Sequence, residues 1–241
     1  MMKEKIIKYI LLTTLIVQVT LLGYLSIYFF INEKVENYTD IKVSGNKLLS
    51  EEQYISLITS EESNKEISLN YIKTKLESHP YVLNADVLLN SINVLEISIE
   101  EKQLYSIIIK NSEPYFVTND FELIKIFPFT NSPALPLIVM NENLNSSIVK
   151  NEQIIVAFKV IDTLRELNQE LLERLTEINL SDKKNLVLLF KNINAPVLMN
   201  KTNIVKELVS LSELMNLDNS IFLDSNTRYI DLRFNNQIII G

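Results

Sequence analysis

The 241-residue chain is 47% apolar, has no cysteine and one histidine, and carries a formal net charge of −7. These features exclude a disulfide framework, a thiol nucleophile and a Cys- or His-rich metal site. Because the basic residues of the N-terminal segment exceed its acidic ones, the remainder is more acidic still and lacks the basic patch that nucleic-acid binding needs.

Lys3, Lys5 and Lys8 precede an uncharged run of 23 residues, 9–31. As a helix it spans about 35 Å, enough for a hydrocarbon core of about 30 Å. Tyr9, Tyr24 and Tyr28 lie where amphipathic rings favour the interface. The lysine excess predicts an N-terminal tail, 1–8, in the cytoplasm, and residues 32–241 on the far side. A cleaved signal peptide is the competing reading. It fits less well, because the apolar core is long and ends in Tyr28-Phe-Phe-Ile31 without a small-x-small site.

After a linker, 32–37, residues 38–102 read as a β-α-α-β-β unit. Ile41 and Val43 alternate in a first strand. Gly45 and Asn46 follow as a turn, with Gly45 in a positive-φ role. Ser50 and Gln53 form a capping box, and Ile55 and Ile58 face the core. Ser68 caps a second helix with Leu69, Ile72 and Leu76 as its stripe. His79-Pro80 ends it. Leu83, Ala85, Val87 and Leu89 alternate, then Leu95, Ile97 and Ile99.

Residues 103–241 read as a larger, sheet-rich unit. Strands are expected at 104–109, 115–118 and 123–127, and a loop is marked by Pro128, Pro133 and Pro136. A helix capped by Asn151 carries Ile154, Ile155, Phe158, Ile161 and Leu164. Strands resume at 177–180, 186–190 and 196–199. A helix is lined by Ile204, Leu208, Leu211 and Met215, and two apolar strands close the chain at 229–234 and 237–240. The fold class is α+β: one transmembrane helix, the small unit, then a mixed α/β unit with an antiparallel sheet.

Catalytic chemistry is not expected. His79 beside Pro80 reads as a turn residue. The pairs Glu51-Glu52, Glu61-Glu62 and Glu100-Glu101 point apart in regular structure and read as solvated surface. Three glycines, at 23, 45 and 241, build no phosphate loop. No cofactor is expected. The last strand region is either an ordinary paired strand or an open edge that takes a partner strand.

Four stretches carry a resemblance: Ile41-Lys-Val-Ser-Gly-Asn46, Ile72-Lys-Thr-Lys-Leu-Glu-Ser-His-Pro-Tyr-Val-Leu-Asn-Ala-Asp-Val87, Leu95-Glu-Ile-Ser-Ile-Glu-Glu-Lys102 and Tyr229-Ile-Asp-Leu-Arg-Phe234. In this order, after one apolar helix, they resemble the bacterial cell-division family FtsQ/DivIB. The resemblance implies a POTRA domain at 38–102, a β domain at 103–241, no enzymatic activity, and a scaffold at the division septum. It also implies binding of FtsB-like and FtsL-like single-span proteins through the last strand. The expected partner-binding residues are Tyr229, Asp231, Arg233, Phe234, Asn236 and Ile238. Arg233 is expected either to pair with a partner carboxylate or to pair with Asp231 or another surface acid, and Phe234 either to meet the partner or to belong to the core. A POTRA edge near residues 82–90 is a possible site for a second partner. The alternative function is a membrane-anchored POTRA docking or chaperone-like module for envelope protein assembly. One departure is Glu122, which stands where the family's hairpin often has glycine.

Overall fold

The computed structural model describes residues 2–31, 34–35, 38–59, 67–141, 146–217, 227–235 and 237–241. α1 (Met2–Ile31) contains the one helix among them that is long and apolar enough to cross a membrane, Leu11–Tyr28, with a mean hydropathy of 1.7. Its Thr20 hydroxyl donates to the carbonyls of Ile16 and Val17 at 3.0 Å, which removes the cost of a hydroxyl among apolar side chains. The chain divides into two compact units between Glu101 and Lys102, with α1 counted in the first.

The first unit holds β1 (Lys34–Val35), β2 (Asp40–Ser44), α2 (Glu51–Thr59), β3 (Ile67–Ser68), α3 (Leu69–Glu77), β4 (Val82–Leu89) and β5 (Val94–Glu101). β1 pairs with β3, and a three-stranded sheet runs β2-β5-β4. β2 is parallel to β5 and β4 antiparallel to it. The capping box forms in both directions: the Ser50 N–H donates to Gln53 Oε1 at 2.7 Å, and the Gln53 N–H to Ser50 Oγ at 3.3 Å. Ser68 accepts from the Tyr71 N–H, and Leu69, Ile72 and Leu76 are buried.

Two readings of this unit change. Leu83 is 55% exposed, because a register shift between Val82 and Asn84 puts an extra residue into β4 and switches its phase. Tyr54 and Ile58, not Ile55, are the fully buried residues of α2. Tyr54 is buried because its hydroxyl finds a partner, donating to Glu101 Oε1 at 2.8 Å.

Glu101 is therefore not a solvated carboxylate. Its two oxygens also accept the N–H groups of Lys47 and Leu48 at 3.0–3.1 Å, tying the turn after β2 to the end of β5. Burial, then the bond to Glu101 and its charge, raise the Tyr54 phenol pKa. His79 packs edge-on against Tyr54 and Tyr81, and burial lowers its pKa while Glu101 opposes the shift.

The second unit holds β6 (Leu104–Lys110), β7 (Glu113–Thr118), β8 (Leu123–Lys125), β9 (Leu137–Val139), α4 (Glu152–Leu167), α5 (Gln169–Arg174), β10 (Leu175–Asn179), β11 (Asn185–Phe190), β12 (Val197–Asn200), α6 (Ile204–Leu217), β13 (Ile230–Asp231) and β14 (Ile239–Ile240). They build one sheet ordered β14-β13-β12-β11-β10-β9-β6-β7-β8. The sheet is mixed, not antiparallel as expected: β6–β9, β9–β10 and β12–β13 are parallel pairs. A parallel neighbour needs a crossover, and α4 with α5, then α6, supply two of them. Those helices bury Ile154, Phe158, Ile161, Leu164, Leu208 and Leu211 in the same core as Ile178, Leu188, Val197 and Ile230. Asn151 accepts from the Ile154 N–H at 2.9 Å and caps α4.

Left-handed backbone falls mostly on residues other than glycine. Asn93, Asn111 and Asn192 have φ of 57°, 51° and 64°, and asparagine tolerates this region better than most residues. The hairpin at 118–122 places it at Phe121, φ 65°, and not at Glu122. The Phe121 ring stacks on Phe158 with centroids 4.8 Å apart, which offsets the backbone strain.

Gly45 is the exception: its φ is +81°, and a Cβ there would lie 2.1 Å from the Ile99 carbonyl oxygen. Gly45→Ala is expected to lower stability by about 2 kcal/mol or more, from the left-handed penalty plus the displaced β5 backbone. Urea unfolding followed by circular dichroism checks this. A midpoint equal to that of the parent chain contradicts it.

Candidate functional site

The C-terminal end of the large sheet is built on two residues. β13 lies parallel to β12, with Ile230 opposite Val197 and Asp231 opposite Leu198. The Ile230 N–H donates to the Pro196 carbonyl and the Leu232 N–H to the Leu198 carbonyl, each at 2.9 Å. β14 then pairs antiparallel with β13, Ile240 opposite Ile230 and Ile239 opposite Asp231. Both strands are shorter than the stretches 229–234 and 237–240 suggest.

The register fixes which main-chain groups face outward. Tyr229 and Gly241 exchange hydrogen bonds, N–H to carbonyl, at 3.2 and 3.3 Å. Hydrogen-bonded and non-bonded pairs alternate along an antiparallel ladder, so the Ile230–Ile240 pair is of the non-bonded kind. The Ile240 N–H and C=O therefore point away from β13, and β14 is the outermost of the described strands at this end of the sheet. At the other end β8 is partly covered, since the Leu123 N–H donates to the Ser147 carbonyl at 2.7 Å.

A charged network locks this end. Arg233 Nε donates to Asp231 Oδ1 at 2.8 Å and Nη2 to Oδ2 at 2.5 Å, a two-pronged pair, and the Arg233 N–H adds a bond at 3.0 Å. Asp231 is 4% exposed. The bond from the Arg233 side chain holds the Asp231 pKa below the usual carboxylate range, and Arg233 is raised in turn, first by that same bond. Behind the pair, Glu207 of α6 is buried. It accepts from the Asn200 N–H at 2.7 Å and from Asn200 Nδ2 at 2.8 Å. Asn200 Nδ2 also reaches the Arg233 carbonyl at 3.1 Å, so α6, β12 and the chain after β13 are held together.

The expected site residues thus separate. Tyr229 is exposed, its ring beside Gly241. Phe234 is 50% exposed. Ile238 is half-buried against the core. Asp231 is buried under Arg233, and Asn236 lies outside the described residues. Ile239 and Ile240 are exposed edge residues that the sequence reading left out of the site. Glu207 and Asn200 were also missed, and only their tertiary neighbours reveal them. A cleft of about 230 Å³ between α6 and the segment leading to β14 is bordered by Lys206, Leu214, Leu217, Phe234 and Ile238.

These features define a class: a two-unit α+β chain after an apolar helix, a small β-α-α-β-β unit preceding a larger sheet unit with one outlying strand. Residues 37–102 match the family model described as POTRA domain, FtsQ-type, and residues 107–233 match cell division protein FtsQ/DivIB, C-terminal. The chain belongs to the FtsQ/DivIB family of cell division proteins. No curated protein matches it. Among solved structures it is similar to the major extracytoplasmic domain of the trans isomer of the cell division protein DivIB from Geobacillus stearothermophilus. That match has 12% identity and a TM-score of 0.32, and covers 50% of this chain and 97% of that one. The apolar helix together with a domain of this family is consistent with a single-pass membrane protein. Phe234 and the residues after it lie beyond the matched stretch.

Because the folded pKa of Asp231 is depressed, its pair with Arg233 stabilises the protein fully above the unfolded carboxylate value of about 3.9. That stability is lost as pH falls through the folded value. Asp231→Asn is expected to cost about 2 kcal/mol near pH 7. The deficit should shrink once the pH drops below about 4. Melting curves of both forms across pH check this. A deficit that stays constant to the lowest pH at which the parent chain folds contradicts it.

Proposed function

We propose that this chain is a non-enzymatic scaffold of the bacterial division complex, held by α1 in the cytoplasmic membrane with its two units outside and working at the septum. Its partners are FtsB-like and FtsL-like single-span proteins, and one of them adds a strand to β14. The observation that carries this reading is the outward direction of the Ile240 N–H and C=O on the terminal strand of a nine-stranded sheet.

The side chains around that edge suit the role. Phe234, Ile239 and Ile240 present apolar surface and Tyr229 an amphipathic ring. Arg233 spends Nε and Nη2 on Asp231, and its Nη1 has no hydrogen-bond partner among the described residues. A partner carboxylate would meet a guanidinium already fixed in position, so little side-chain entropy remains to be lost on binding. Main-chain bonds supply affinity in this mode, and Arg233 and Phe234 supply selectivity.

Ile240→Pro removes an outward donor without touching a β13–β14 hydrogen bond. With full-length chain in detergent as bait, the parent is expected to retain single-span FtsB- or FtsL-like proteins from native membranes. Ile240→Pro and Phe234→Ala, at a half-exposed ring outside the Arg233–Asp231 clamp, are each expected to lose at least tenfold of that capture while melting normally. Equal capture by all three baits places the contact elsewhere. Failure of the parent bait removes the partner assignment.

A further inference from the structure

The sheet of the POTRA unit has two outer strands, β2 and β4, and each has outward main-chain groups. On β4 these are the groups of Ala85. Its N–H donates to Glu77 Oε1 at 3.3 Å, and its C=O accepts from Lys73 Nζ at 2.8 Å. Because both groups are engaged by side chains of α3, Ala85 and its register partner Ile99 form a non-bonded pair, and the Ala85 groups face away from β5.

Lys73 and Glu77 are themselves an i,i+4 ion pair, 3.2 Å apart and half-buried. Lys73 Nζ also lies 3.3 Å from Asn84 Oδ1 and 3.7 Å from Asp86 Oδ1. The ammonium is therefore held among four oxygens over the strand edge.

β2 shows the same pattern. The Val43 N–H donates to Glu51 Oε1 of α2 at 2.9 Å, and the Ile41 N–H donates to Asp40 Oδ1 at 2.9 Å. On both outer strands, carboxylates occupy outward donors that an incoming strand would need.

We infer that the POTRA sheet is closed to strand addition by side-chain plugs, Lys73 with Glu77 on β4 and Glu51 with Asp40 on β2. Unpaired strand edges invite pairing with a second copy, and charged residues on an edge are a known defence. Here the charges act by direct occupation. Ala85 is the first outward position after the register shift in β4, so its occupation interrupts the edge before Val87 and Leu89. The segment 82–90 thus does not serve as the strand-docking edge that the sequence reading offered for a second partner. The inference stands independently of what binds β14.

The chain has no cysteine, so a single Leu88→Cys gives one exposed thiol on β4. The test is cross-linking of the full chain in its membranes with a bismaleimide. Lys73→Ala with Glu77→Ala is expected to raise the cross-linked dimer at least tenfold over the parent. Adding Val87→Pro, which removes the next outward donor, should return it to the parent level. Lys73→Arg with Glu77→Gln keeps donor and acceptor and should stay at the parent level. Should the double alanine variant fold poorly, Lys73→Ala alone, which exposes only the Ala85 carbonyl, is expected to shift the dimer in the same direction. No rise in a folded variant, or a rise that survives Val87→Pro, overturns the inference.

Discussion

The parallel pairing of β13 with β12 is the constraint on which the C-terminal half depends. Two residues, Ile230 and Asp231, make that pairing. It brings the chain back across α6, buries that helix against the sheet, and supplies the ladder on which β14 rests. So short a strand is marginal by itself, and the network from Glu207 through Asn200 to the Arg233 carbonyl, with Asp231 clamped by Arg233, holds it. The buried charges there act mainly through the geometry they fix, since a buried ion pair often contributes little net stability over an apolar substitute.

The acidic composition has a structural use. Glu51, Glu77, Glu101, Glu207 and Asp231 all accept main-chain N–H groups that the regular ladders leave over. An unpaired buried amide costs about 1–3 kcal/mol, so Glu101 and Glu77, which accept from buried Leu48 and Ala85, each remove a local penalty. They also make specific what the β-α-α-β-β topology leaves loose: which turn meets which strand, and which strand edges remain available. Within one chain, strand edges are treated in opposite ways. Those of the small sheet are occupied by side chains, and the outer groups of Ile240 are directed outward.

Much of this was readable from residue order. The Ser50/Gln53 box, the Ser68 and Asn151 caps, the positive φ at Gly45 and the helical stripes all follow from local chemistry, and the structure has them. What failed to show was non-local. β9 is three residues after a run of prolines and is a strand because β6 and β10 flank it. The register shift in β4 moved Leu83 outward although its alternation looked regular. Glu101 looked like half of a solvated pair because the amides it accepts lie over fifty residues away. At the C-terminal edge, period two already put Asp231 and Arg233 on one face, so their pairing was an open alternative; Glu207 and Asn200 gave no signal.

The asparagines at left-handed positions have a consequence for the unfolded chain. Glycine is the usual residue where φ is positive, and it leaves the denatured ensemble the most backbone freedom to lose. This chain has three glycines in 241 residues and places Asn93, Asn111 and Asn192 at such turns instead. Each combines a stiffer unfolded chain with strain in the left-handed region, two effects of opposite sign. The denatured state therefore enters the stability balance of both units at these turns, through a difference that no native contact shows.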